Sequence, residues 1–409
     1  MVDSLSDPRA LAREVLLAAL DPDAGHLGRF GHIDWATLPW DWLLARARWH
    51  KALALLIGRL DGHGFEKELP DSVREEVQKA RVEISRKATA AVITLEEVVR
   101  ICRSRSIPFV VLKGSVLAET IYGDPNLRVF SDVDVMVPGN RVDELGEELR
   151  AREYYFYAPA SLRRYVERRD RKGAGSWDSE LSTAEAQRLL RKHHHHFSYG
   201  PREEDPRIPV EVHWHIAPPK WLRIPPRDVW RQCTEATVAG NAVTILNFEA
   251  ALLHAALHAM AGPPTAGFRL LHLCDVAWIV QRAGHRLRPD VLQQLATDWR
   301  LERYLTCALE AADAIFPFPV TRSETYRPHR SVWSRTCLRL AEMDPSIVDE
   351  RLPDTRVDRV AKRLFREAFW DFAFLRPPRR AFQTLTRAKA RVASAIGRVS
   401  SGGRPGAKR

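Results

Sequence analysis

The sequence predicts an α+β protein: a small mixed-sheet core set between an N-terminal and a C-terminal helical region. Three observations predict it. Apolar residues recur at helical spacing from about residue 5 to 106. Short stretches then alternate in strand fashion, Ser131 to Val137 and Ile208 to Ile216 among them. Helical spacing returns after Asn247 and continues, with breaks, to about Phe374. The expected organisation is therefore a helical region over 1–106, a core over 107–232, a second helical region over 233–375 and a basic tail over 376–409.

In the first region, Pro8 opens a helix with Leu11, Val15, Leu16 and Ala19 on one face. Trp40 to Leu60 is strongly apolar at helical spacing. Asp71 to Arg105 forms a long helical segment whose stripe runs Val73, Val77, Val82, Ile84, Ala88, Val92, Leu95, Val98 and Ile101. The tryptophans of this region read as core rather than as a base-stacking surface.

The core opens with an apolar run, Ile107 to Leu112, followed by Lys113-Gly114-Ser115 and a short helical segment through Ala118 and Ile121. After the strand ending at Val137, Asn140 is positioned to cap a helix carrying Val142, Leu145 and Leu149. Arg163 to Ser179 reads as an exposed loop, and Ser182-x-x-Glu185 as a capping box opening the next helix. That helix ends in four histidines, His193 to His196. They read either as a metal-binding tract or as a helix end turning into a hairpin strand, and the hairpin is preferred. In a hairpin, His194 and His196 face one side, and His195, Phe197 and Tyr199 the other. The turn Gly200 to Pro206 leads to the second alternating strand.

Pro218, Pro219, Pro225 and Pro226 bracket a linker, and Glu235 to Leu246 reads as a hairpin with Gly240-Asn241 as its turn. Asn247 caps the next helix. His254 and His258 share a face of it, but Ala255 stands where a zinc peptidase needs glutamate, which excludes that chemistry. An Arg-led helix with Arg269 and Asp275 follows. These residues read as a buried polar network joining two helices, through an Asp275–His or Asp275–Arg269 pair, with substrate positioning as the alternative. Helices are expected over Pro289 to Phe316 and from about Arg330 to Phe374, ended by Arg376-Pro377-Pro378.

The 409 residues carry a formal net charge of +11. Residues 376–409 account for nearly all of it: they hold ten Lys/Arg and no acid, leaving 53 basic against 52 acidic residues elsewhere. A neutral body argues against a nucleic-acid stripe across the fold. The tail reads as a basic amphipathic helix with a disordered end, offering weak contact with RNA, an acidic partner or anionic lipid. The five cysteines are scattered without C-x-x-C spacing, which points to a reducing compartment. Asp3 and Asp7 stand where a signal peptide needs positive charge, and no stretch approaches membrane-spanning length. A cytoplasmic protein is the expectation.

Within the core, Asp132 and Asp134 point to one face of their strand and Val133, Val135 and Val137 to the other. On the later strand, Glu211, His213 and His215 share a face, opposite Val210, Val212 and Trp214. Two carboxylates two apart on a strand repel, and a divalent cation reverses the sign of that interaction. A D-x-D pair alone reads as solvated acids at a strand end. The Gly114-Ser115 bend after a buried strand, and Glu211 if its strand pairs beside the first, raise it to a cation and phosphate site.

Gly-Ser, D-x-D on a strand and a later carboxylate form the pattern of the DNA polymerase beta-like nucleotidyltransferase superfamily. Leu112-Lys113-Gly114, Tyr122, Arg128 before Ser131-Asp132-Val133-Asp134, and Glu211-Val212-His213-Trp214 resemble one branch of it, the uncharacterised bacterial nucleotidyltransferase family with an LKG motif. The resemblance spans most of residues 35 to 285. It implies a nucleotidyltransferase core and transfer of NMP from an NTP, with Mg2+ (or Mn2+) held by Asp132, Asp134 and Glu211. Lys113, Gly114, Ser115 and Arg128 become candidates for nucleotide phosphates; for Arg128 a salt bridge orienting the D-x-D strand is the alternative. His213, His196, His254, His258, Arg269 and Asp275 are candidates for support. The branch shares no single acceptor, so a small molecule, a protein or an RNA all remain open. A catalytically silent nucleotide sensor and a toxin-like RNA nucleotidyltransferase are the competing readings.

Overall fold

The computed structural model describes residues 8–157, 183–217, 222, 224–261 and 269–316. The Arg163–Ser179 loop, the Ser182 cap, the Pro218-Pro219 end of the linker, the helices beyond Phe316 and the basic tail lie outside the described residues.

The N-terminal region contains α1 (Pro8–Leu20), α2 (Gly25–Gly28), α3 (Trp40–Trp49), α4 (Leu53–Gly62) and α5 (Asp71–Ser104). The apolar run from Trp40 to Leu60 is two helices, because the chain turns at Lys51, whose φ is 57°. A turn there lets both helices present Leu43, Leu44, Leu55 and Leu56 to one interior. Trp35 and Trp40 are core residues, whereas Trp49 is 40% exposed. The α5 stripe is buried at Val73 and Val77 and again from Ala88 to Cys102, but between them Val82 is 62% exposed.

A seven-stranded mixed sheet follows, with order β3-β4-β5-β2-β1-β7-β6. Its strands are β1 (Val110–Leu112), β2 (Val133–Met136), β3 (Tyr155–Tyr157), β4 (His196–Gly200), β5 (Val210–His213), β6 (Cys233–Val238) and β7 (Asn241–Leu246). The pair β2–β5 is parallel, in register Asp134↔Glu211 and Met136↔His213. β1 runs antiparallel to β2, with Leu112 opposite Asp134. The hairpin β6–β7 joins the same sheet through a parallel contact of β7 with β1. Its turn is Ala239-Gly240 rather than Gly240-Asn241; both residues have positive φ, as a tight hairpin bend requires.

One sheet face is apolar. Val135, Val137, Phe197, Tyr199, Val210 and Val212 pack there against the C-terminal half of α5, α7 (Val142–Arg150) and α8 (Thr183–His193). No side chain caps α7, and Arg141 rather than Asn140 immediately precedes it. The Arg141 guanidinium instead holds Glu144 in the first turn, at 2.6 and 3.0 Å. The opposite face, carrying Leu112, Asp134, Glu211 and His213, meets α6 (Gly114–Leu117), α10 (Phe248–Ala261) and α11 (Leu270–Ala283) near Lys113. Asn247 does cap α10, accepting from the Ala250 N–H at 2.9 Å. Short α9 (Pro226–Trp230) precedes β6, and α12 (Pro289–Asp298) and α13 (Glu302–Ile315) complete the described chain.

Close approach of α7 to the sheet depends on Gly146. A Cβ there would lie 2.2 Å from the Tyr199 hydroxyl and 2.9 Å from its Cζ. We expect Gly146→Ala to destabilise the protein by about 1–3 kcal/mol in urea unfolding, the usual cost of overpacking. Tyr199→Phe in the same chain removes the nearer atom and is expected to recover part of that loss.

Candidate active site

The site begins where β1 turns into α6. Leu112 is the last strand residue, and Lys113 must reverse the chain direction within one position. It does so at φ 42° and ψ −115°, a conformation that an L-residue adopts only at a cost of about 1–3 kcal/mol. Gly114 follows because Phe130 packs against it: a Cβ there would meet the ring at 3.0 and 3.1 Å and the Phe130 Cβ at 3.2 Å. Ser115 is buried, and its hydroxyl has no hydrogen-bond partner. The α6 turn is short and widens at Ala118–Tyr122 into a single π turn, a feature frequent at functional sites.

The strained Lys113 delivers its ammonium to the sheet. Nζ lies 2.9 Å from Asp134 Oδ1. The same oxygen is 2.8 Å from His213 Nε2, which is also 3.3 Å from Glu211 Oε2. His196 Nε2 stands 3.6 Å from Glu211 Oε1. Lys113, Asp134, His213 and Glu211 thus form one chain of alternating charge from the end of β1 across β2 and β5, with the His196 ring of β4 beside its last acid. Two strands of the sheet supply its acids because the parallel register sets Asp134 beside Glu211. Asp132, half-buried two residues before Asp134, belongs to the same face.

The electrostatics follow from this placement. Burial first, and then Asp134 and Glu211, push the Asp132 carboxyl up to about 6, against the pull of Lys113 and Lys51. Burial acts the same way on Asp134, but Lys113 and His213 outweigh it and hold that carboxyl well below the usual range. Glu211 is also lowered, burial being outweighed chiefly by the His213 hydrogen bond. For His213, burial opposes charge, yet hydrogen bonds to Asp134 and Glu211 raise its pKa. Burial holds the neighbouring His196 ring neutral, down to about 3, and lowers His195 still further. Asp132 is therefore the acid with the least compensation. Asp134 and Glu211 stand side by side with Asp132 on the same face, and oxygen donors of this kind suit a hard divalent cation. Among the described residues, however, the ligand atoms within 4.8 Å of one another belong to His194, His195 and His196 and to His196, Glu211 and His213, so the three acids have to draw together to share an ion.

Other candidates fall elsewhere. Arg128 is 6% exposed and makes a bidentate pair with Asp275, Nε–Oδ1 2.7 Å and Nη2–Oδ2 2.7 Å. Tyr122 donates to the same carboxylate at 3.0 Å and stacks on Trp278, 4.5 Å between centroids. In this structure Arg128 makes the salt bridge that was the alternative to phosphate binding: it ties the segment before the D-x-D strand to α11, and its remaining contact is to the Gly114 carbonyl at 3.4 Å. Asp275 pairs with Arg128 and Tyr122, not with Arg269 or a histidine. Arg269 lies over the Trp49 ring, 3.9 Å from its centroid, and donates to the Trp49 carbonyl. His254 is buried and His258 half-buried, and His258 faces His272 of α11 at 4.3 Å. With Lys113 and Asp275 they line a cavity of about 20 Å³, room for roughly one water. His215 is structural: its Nδ1 accepts from the Ala217 N–H and Nε2 donates to the Ile224 carbonyl.

Two contributors were not read from the sequence. Ser198 lies opposite Glu211, and Tyr157 opposite Ser198, extending the Asp134–Glu211 row to the sheet edge. Tyr157 is 38% exposed on this face. Alternation along 196–200 gives Ser198 the face of His196, but only the pairing brings Tyr157 into the row. His195 also departs from alternation. It precedes β4, its carbonyl accepts from the Trp214 N–H at 3.0 Å, and its ring lies 5.3 Å from His213.

Breaking the Arg128–Asp275 pair is expected to be costly. Asp275→Asn leaves a buried guanidinium uncompensated and should lower unfolding free energy by about 3–5 kcal/mol. The double variant Arg128→Met/Asp275→Leu should lose less, as a urea titration of the three proteins will show.

No curated protein matches the chain with significance. Two solved structures are similar. One is the solution structure of the antibiotic-resistance factor ANT(2'')-Ia, 15% identical, matching 51% of this chain and 90% of that one at a TM-score of 0.30. The other is the crystal structure of an antigenic nucleotidyltransferase-like protein from Paracoccidioides brasiliensis, 16% identical, matching 57% and 97% at 0.29. The profile of a family described as "Uncharacterised nucleotidyltransferase" matches residues 36–317, which contain every residue of the site. The chain belongs to that family of uncharacterised nucleotidyltransferases.

Proposed function

We propose that the protein transfers NMP from an NTP to a hydroxyl, or another nucleophile, of a small-molecule, protein or RNA acceptor. The observation that carries this reading is the in-register Asp134–Glu211 pair with Asp132 on the same face. Asp132, Asp134 and Glu211 would hold Mg2+ or Mn2+. When bound, the metal supplies Lewis-acid stabilisation of the attacking and leaving oxygens.

The chain's own groups have separable tasks. Lys113 now neutralises Asp134, and the same ammonium is the nearest cation for a triphosphate. Gly114 and Ser115 bring a bare backbone bend and an unpartnered buried hydroxyl to the same place. Nε2 of His213 bridges Asp134 and Glu211, so this ring orients the carboxylates rather than serving as the base that deprotonates the acceptor. Arg128, through Asp275 and Tyr122, steadies the segment leading into β2.

A catalytically silent nucleotide-binding module is the second reading. It is favoured by the engagement of Asp134 with both Lys113 and His213, which already balances one acid. The uncompensated Asp132 argues for the enzyme, because a silent module gains nothing by keeping it. RNA or membrane contact through the 376–409 tail is a further proposal, tested by deleting those residues. Among the described residues no helix is long and apolar enough to cross a membrane.

Incubation with α-labelled ATP, GTP, CTP and UTP, Mg2+ and an acceptor panel that includes the protein itself tests the proposal. Label transfer is expected from the native chain. It should fall at least ~100-fold in Asp132→Asn, Asp134→Asn and Glu211→Gln, the scale on which losing a charge-stabilising group acts. Asp132→Asn should meanwhile unfold no earlier than the native protein, since it relieves repulsion. Transfer that survives either aspartate change would refute the assignment. Tight NTP binding without turnover across the panel would favour the silent module.

A further inference from the structure

Three imidazoles that the proposed transfer does not use stand together where α8 passes into β4. His194, His195 and His196 each offer a ring nitrogen, and these three atoms lie within 4.8 Å of one another. The ring centroids are 6.3 Å apart for His194–His195, 5.6 Å for His194–His196 and 4.8 Å for His195–His196. All three rings are half-buried. Nδ1 of His195 and Nδ1 of His196 are sealed from solvent without a hydrogen-bond partner. Behind them His213, 1% exposed, has the same deficit at its Nδ1. Its ring is 5.3 Å from His195 and 4.8 Å from His196.

Each sealed, unpartnered nitrogen costs about 1–3 kcal/mol. A protein that needed only a turn at this point could use apolar residues and avoid the cost. An ion bound through these nitrogens of His195 and His196 removes it for those two rings. The local backbone is also arranged for convergence. His195 immediately precedes β4 and its carbonyl still accepts from the Trp214 N–H at 3.0 Å, yet its ring stands beside those of His196 and His213 instead of on the opposite face with Phe197.

We propose that His194, His195 and His196 form a second cation site, selective for a borderline transition-metal dication of the zinc class rather than for magnesium. Neutral imidazole nitrogen suits zinc, cobalt and nickel, whereas magnesium demands oxygen donors. Bonds of about 2.0–2.1 Å in a tetrahedral site bring nitrogens to roughly 3.3 Å from one another, so the rings close on the ion by about an ångström. Three imidazoles leave a fourth position for water or for an atom of a bound substrate. The site adjoins the carboxylates through His196, which with Glu211 and His213 makes a second group of donor atoms within 4.8 Å. An ion on the imidazoles therefore sits beside the proposed transfer centre without depending on Asp132 or Asp134.

Cobalt(II) titration of the untagged full chain, followed by visible absorption, tests the proposal without any activity assay. One cobalt per chain should bind with the intense bands of a low-coordinate nitrogen site. Zinc should displace it, and a large excess of magnesium should not. Asp132→Asn/Asp134→Asn, which would silence transfer, should bind cobalt as the native chain does. His195→Asn should weaken binding by at least ~10-fold. If that variant does not fold, His194→Asn carries the same expectation. Absence of a saturable cobalt spectrum, displacement by magnesium, loss of binding in the aspartate double variant, or full binding in the histidine variants overturns the proposal. Because the aspartate variants separate the two sites, failure here leaves the transfer reading standing, and failure of transfer leaves this one.

Discussion

Acidic side chains gathered on one face of a sheet repel one another, and the rest of this structure is arranged around containing that repulsion. Neighbouring strands are about 4.8 Å apart, so two ionised carboxylates side by side cost of order 3 kcal/mol at an effective dielectric constant near 20. The protein answers with two cations. Lys113 reaches Asp134 from a strained bend, and His213 spans Asp134 and Glu211. Asp132 receives only the weaker influence of Lys113 and Lys51, and its pKa rises. The surplus of negative charge left at Asp132 is what a bound divalent cation would neutralise.

Keeping that arrangement in place falls to the helices on both sides of the sheet. On the apolar face, α5, α7 and α8 cover Val135, Val210, Val212 and their neighbours, so the strand pairing that sets Asp134 beside Glu211 is backed by core. On the polar face, the Arg128–Asp275 pair and Tyr122 join the segment before β2 to α11. Through Arg128 the same contact reaches the Gly114 carbonyl in the bend. A buried ion pair contributes little net stability compared with apolar packing. Its value here is geometric: it links the bend, the D-x-D approach and a distant helix through one planar guanidinium.

The parts legible in the sequence are those governed by local periodicity. Period-two alternation assigns Asp132 and Asp134, and Glu211 and His213, to common faces without any knowledge of pairing. Asn247 before an apolar run marks the start of α10 because a helix cap is a local motif. What escaped is set by contacts distant in sequence or by single backbone angles. Arg128 and Asp275 are 147 residues apart, and nothing near Asp275 distinguishes that partner from Arg269 or a histidine. The break at Lys51 rests on one positive φ in a run whose apolar spacing continues on both sides. His195 departs from alternation at the start of β4, where its ring stands beside His213 and no nearby residue marks the change. Tyr157 enters the site row through two successive strand pairings, which no stretch of sequence states.

Anomalous diffraction from crystals grown with Mn2+ and a non-hydrolysable NTP analogue addresses the central claim most directly. The account predicts a manganese peak ligated by carboxylate oxygens of Asp132, Asp134 and Glu211, with the Lys113 ammonium drawn from Asp134 towards phosphate. Manganese bound away from these three acids, with the Lys113–Asp134–His213 contacts unchanged beneath the nucleotide, would contradict it.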